Sequence, residues 1–82
     1  MLDDSTPTRV TKPLVLMFED DKHNVVCALY PSEHVNCHEA YGLIVCDLVR
    51  HIAVKFDVHE DSVWQWVMAE RNKPTTTLRT LS

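Results

Sequence analysis

Two short runs near the start of the chain are apolar at almost every position. Leu14-Val15-Leu16-Met17-Phe18-Glu19 and Val25-Val26-Cys27-Ala28-Leu29-Tyr30 are strand-length and rich in β-branched and aromatic residues, and a polar turn beginning Asp20-Asp21-Lys22-His23 separates them. The pattern predicts a β-hairpin. Strand side chains alternate, so Leu14, Leu16 and Phe18 share one face and Val15 and Met17 the other; on the second strand Val25, Cys27 and Leu29 oppose Val26, Ala28 and Tyr30. A hairpin with two apolar faces needs cover on both, because two strands alone are marginal in water.

After Pro31 the period changes. Asn36 and Glu39 have capping-box spacing, which predicts a helix from Asn36 to Phe56. Asp57 and Glu60 repeat that spacing and predict a second helix through Val63, Trp64, Trp66, Val67 and Met68, stopped at Lys73-Pro74 because the residue before proline avoids the α region. At about 100° per residue, Tyr41, Val45, Leu48, Val49, Ile52 and Phe56 fall on one broad arc, the expected core face toward the sheet. Beside it runs a stripe of small or compact residues, Gly42, Cys46, Val49 and Ala53. Such a stripe admits a second helix closely, the alternative being an incidental glycine near the helix start. A third seam, Leu43, Asp47, Arg50 and Val54, is apolar at its ends and charged in the middle.

These elements place one domain at residues 14–74, with an amino-terminal tail at 1–13 and a Thr-rich tail at 75–82 that is either free or added to a sheet edge. A core of about 60 residues buries only about 60% of the surface its unfolded chain exposes. The long helix is apolar on more sides than the remaining chain can cover. Fold class and partner follow together: α+β, a β-hairpin followed by two α-helices (ββαα), completed by homodimerisation.

Composition narrows the function classes. A formal net charge of −4 with no cluster of Lys and Arg argues against nucleic acid or an anionic membrane as the main partner. No apolar run reaches the length of a membrane span, and the acidic Met1-Leu2-Asp3-Asp4 start lacks the parts of a signal peptide, so a cytoplasmic protein is expected. Cys27, Cys37 and Cys46, odd in number and without C-x-x-C spacing, read as reduced thiols. Cys46 has no activating base on its face, since His51 is offset by about 140°.

Candidate chemistry is sparse. His34, Cys37 and His38 form H-x-x-C-H, with His23 as a conceivable fourth donor, but adjacent ligands at a helix start diverge by about 100° and make a poor tetrahedron. No metal, cofactor or catalytic residue is assigned. Asp20-Asp21 and Glu60-Asp61 suit a turn and a helix amino end. The polar group of most interest is Asp47, Arg50 and His51, which share a helix surface, with Glu70 of the second helix as a cross-helix or cross-subunit ion partner or, alternatively, a solvated carboxylate. Trp64 and Trp66 lie about 200° apart on a helix, so one of them is available as an interface anchor.

The run Tyr41 to Ala53, an aromatic-Gly pair opening a helix that carries Asp, Arg-His and Ala, then a helix with Glu70 before Pro74-Thr75, resembles a family of short bacterial proteins classed as a domain of unknown function. The resemblance covers about residues 40–75, with Tyr41 where the family has Trp. It implies a packing pattern and no activity. The expected function is a non-enzymatic homodimeric interaction or structural module with a possible protein partner; the alternative is a small-ligand-binding or catalytic protein using Asp47, Arg50, His51 and Glu70.

Overall fold

A computed structural model describes residues 8–81, so the first seven residues of the amino-terminal tail and Ser82 lie outside the described residues. Strands β1 (Val15–Glu19) and β2 (Val25–Leu29) form an antiparallel hairpin, followed by helices α1 (His38–Phe56) and α2 (Glu60–Asn72). This is the expected ββαα order. The register pairs Val15 with Leu29, Met17 with Cys27 and Phe18 with Val26.

The connecting turn is held by one side chain. Asp20 accepts from the backbone N–H of Asn24 at 2.8 Å and of Lys22 at 2.9 Å, and from the Asn24 amide Nδ2 at 3.2 Å. The Asn24 N–H first, then the other two donors, hold this carboxyl below its ordinary range. His23 sits at φ 67°, the left-handed position that lets the loop close.

Both helix starts depart from the capping spacing. Ser32 closes a local turn, its Oγ accepting from Val35 N–H at 3.0 Å, and within it Asn36 Nδ2 donates to the Glu33 carbonyl at 3.1 Å. With its side chain so engaged Asn36 does not cap, and α1 begins at His38 after an extended Cys37 that makes no side-chain cap bond. The expected start at Asn36 is therefore corrected by two residues. Asp57 likewise does not open α2. It ends α1 in the left-handed region at φ 56°, ψ 51°, with Val58 N–H donating to the Ala53 carbonyl at 3.0 Å and Asp57 N–H to Val54 at 3.3 Å. These two bonds are a Schellman motif. The residue that caps α2 is His59, whose Nδ1 accepts from Asp61 N–H at 3.1 Å.

Helix α2 stops before Lys73-Pro74, and the chain turns back to the sheet. Thr80 bridges Cys27 in parallel, with Cys27 N–H donating to the Arg79 carbonyl at 3.2 Å and Leu81 N–H to the Cys27 carbonyl at 3.0 Å. Of the two alternatives for the tail, it is the one added to a sheet edge that forms, as a single bridge on the outer edge of β2.

Among the described residues the buried core is three small side chains, Ala28 at 1% exposure with Val49 and Ala53. On α1 burial therefore centres on Val49, which the broad arc and the small-residue stripe share, and on Ala53 of the stripe; elsewhere on the arc Tyr41 and Ile52 are half-buried and Val45, Leu48 and Phe56 are exposed. The reason is geometric: α1 packs against α2, and a single neighbour helix and a two-stranded sheet cover only a narrow sector of an apolar cylinder.

Candidate interaction surface

An apolar cavity of about 610 Å³ is lined by one face of the hairpin, Val15, Met17, Cys27 and Leu29, and by Tyr41, Ile44, Val45 and Leu48 of α1. Alternation on paired strands puts the four hairpin residues on one side, and the spacing of three and four does the same on the helix. A second cavity of about 440 Å³ shares Leu29, Tyr41 and Val45 as its wall and continues past Pro31 and Cys37 to Gly42. The two form one groove. Its single aromatic hydroxyl is already committed, Tyr41 donating to the Leu14 carbonyl at 3.0 Å. A third, more polar cavity of about 310 Å³ lies between Lys12, Leu14 and the Ser32–His34 turn.

The chain is under-covered for its size. It exposes 7563 Å², against about 5000 Å² for a compact monomer of this mass. Residues 8–13 and the carboxy-terminal tail, exposed along their length, carry part of the difference. Large apolar side chains add to it: Met17 is 55% exposed, and Phe18, Leu29, Leu43, Val45, Leu48, Val54, Phe56 and Met68 are all exposed as well.

The four polar candidates do not converge. Arg50 meets Asp47 at 3.5 Å on an exposed surface, where such a pair contributes about 0.2–0.5 kcal/mol. His51 is exposed. Glu70 turns to its own chain: Thr75 donates to its carboxylate through the backbone N–H at 2.7 Å and through Oγ1 at 2.8 Å. The Thr75 N–H first, then the Thr75 hydroxyl, hold the Glu70 carboxyl below its ordinary range. Glu70 thus clamps the turn that sends the tail to β2, a role hidden in the sequence except for the Glu…Pro-Thr spacing. None of Asp47, Arg50, His51 and Glu70 lines any of the three cavities.

The two tryptophans separate as their helical offset requires. Trp64 is half-buried with Nε1 donating to Glu60 at 3.1 Å, whereas Trp66 is 75% exposed. At Gly42 a Cβ would meet nothing within 4 Å, so the glycine end of the small-residue stripe faces open space in the single chain. His34, Cys37 and His38 do not converge on one point: among the described residues no group of three or more His, Cys, Asp or Glu could hold a metal ion. The cysteines are free thiols. No helix among the described residues is long and apolar enough to cross a membrane. Comparison with protein-family models, with curated proteins and with solved structures finds no match to this chain.

Proposed function

We propose that this chain is a small, cytoplasmic, homodimeric interaction or structural module rather than an enzyme. The observation that carries the reading is the continuous apolar groove between the hairpin and α1, with no large side chain fully buried among the described residues. Contiguous exposed apolar surface of this kind marks a place where another molecule can dock. A standard interface covers about 800 Å² per partner, well within the surplus the chain exposes. Trp66 is the natural anchor for a further protein partner, since exposed tryptophans concentrate binding energy. Light scattering coupled to size-exclusion chromatography tests the reading: the expected mass is twice the 9.5 kDa of one chain, and a mass of one chain at micromolar concentration overturns it.

One observation favours a second reading. The 610 Å³ cavity has the volume of a small-molecule pocket. It ranks below the dimer because its lining lacks the convergent polar groups that orient a ligand. The version built on Asp47, Arg50, His51 and Glu70 has less support still, since Arg50 is paired with Asp47 on an exposed surface and Glu70 is engaged by Thr75.

A further inference from the structure

Backbone hydrogen bonding sets which groups of β1 face β2 and which face outward. Tyr30 N–H donates to the Leu14 carbonyl and Asp20 N–H to the Asn24 carbonyl, both at 2.9 Å. In an antiparallel ladder, residues that exchange such bonds alternate with residues whose N–H and C=O point the other way. Leu14, Leu16, Phe18 and Asp20 therefore face β2, and Val15, Met17 and Glu19 present their backbone groups outward. The same alternation on β2 is visible directly, because Cys27 is the residue that bonds the tail. The outer edge of β2 is thus occupied at its centre, Cys27, whereas among the described residues nothing pairs with the outer edge of β1.

We propose that two copies of this chain pair β1 against β1 antiparallel across a two-fold axis, making one continuous sheet. This rests on the homodimer reading above and assigns its surface. An antiparallel edge is its own complement, since each outward residue offers one donor and one acceptor. Centring the axis on Met17 sets Met17 opposite its counterpart and Val15 opposite Glu19 of the second copy, which avoids opposed like charges and makes about six backbone bonds. The two-fold stands perpendicular to the sheet. Val15, Met17, Cys27 and Leu29 of both copies then share one face, and the two apolar grooves lie side by side. The edge carries no bulge, no proline and no lysine within Val15–Glu19, and its one charged residue, Glu19, stands at the strand end. The competing face of α1, Leu43 to Val54, carries the Asp47–Arg50 pair in its middle, and burying that pair is costly.

The test combines light scattering with backbone amide exchange on the full chain. Wild type is expected to be a dimer in which the Val15, Met17 and Glu19 amides exchange as slowly as those of Leu16 and Phe18. Met17→Pro removes an outward N–H and no hairpin bond; it should weaken dimerisation about a hundredfold while keeping the far-ultraviolet circular dichroism. Leu43→Lys should remain dimeric. A wild-type dimer whose three outward amides exchange freely overturns the edge assignment and leaves the dimer standing. A one-chain mass removes the second copy and the dimer reading together, and protection appearing only with an added extended peptide would assign the edge to a foreign strand instead.

Discussion

Replacing Asp57 by glycine should raise the stability of this protein, and the sign separates two ways of reading the same residue. Asp57 occupies the left-handed region at the end of α1, which costs an L-residue about 1–2 kcal/mol, with aspartate near the low end. Its negative charge also sits at the carboxy end of a helix, unfavourable by about 0.3–1 kcal/mol. Glycine relieves both but adds unfolded-state entropy of about 0.4–1 kcal/mol. The net gain is about 0.5–1 kcal/mol, which for a domain of this size raises Tm by about 2–8 °C. Asp57→Asn, which tolerates the same backbone and drops the charge, should gain about 0.3–1 kcal/mol, and Asp57→Ala should gain nothing. Thermal and urea unfolding at one fixed protein concentration measure all three, because mass action shifts the Tm of an associating chain. Were Asp57 the N-cap of α2, as its spacing to Glu60 suggests, asparagine would be neutral, glycine would cost a few tenths and alanine about 1 kcal/mol. That ranking in the data would refute the Schellman assignment.

Other substitutions probe the remaining features. Gly42→Ala should add about 0.5–1 kcal/mol, since alanine is the better helix former and its Cβ meets open space; urea midpoints check this, and a loss of stability would mean that a neighbouring chain packs on the glycine. Glu70→Gln leaves one Thr75 donor facing an amide N–H₂ and should release the tail, seen as faster exchange of the Leu81 and Cys27 amides. The same clamp depends on pH. The folded Glu70 carboxyl lies below its ordinary 4.5, so its contribution is complete above that value and is lost as pH falls through the lowered one. Amide exchange of the tail across the acid range follows the loss, and Glu70→Gln should flatten it. Trp66→Ala should change stability by less than about 0.5 kcal/mol, whereas Trp64→Ala, half-buried and bonded to Glu60, should cost about 2 kcal/mol; equal effects in chemical denaturation would contradict the separation of the two rings.

The hairpin, the two helices and the stop at Lys73-Pro74 were all legible in the sequence, because period and breaker residues act over a few positions. The helix starts were not. Capping spacing is satisfied by many short sequences, and which residue caps depends on what else competes for its side chain: Asn36 is taken by the Glu33 carbonyl inside a turn closed by Ser32, and Asp57 is drawn into the end of α1. The polar candidate group failed for a related reason. Helical spacing identifies which residues share a surface, and Asp47 does meet Arg50, but it says nothing of Glu70, whose partner Thr75 arrives only after the chain reverses at Pro74.

Element type, order and an excess of apolar surface were thus determined by the sequence alone, since each follows from local alternation and composition. The tertiary structure decided where that excess remains uncovered, because exposure depends on distances between segments remote in the chain. It set the buried centre of α1 at Val49 and Ala53 and left the groove beside Leu48 open. By bringing the tail onto β2 at Cys27, it also left the outer edge of β1 without a partner among the described residues.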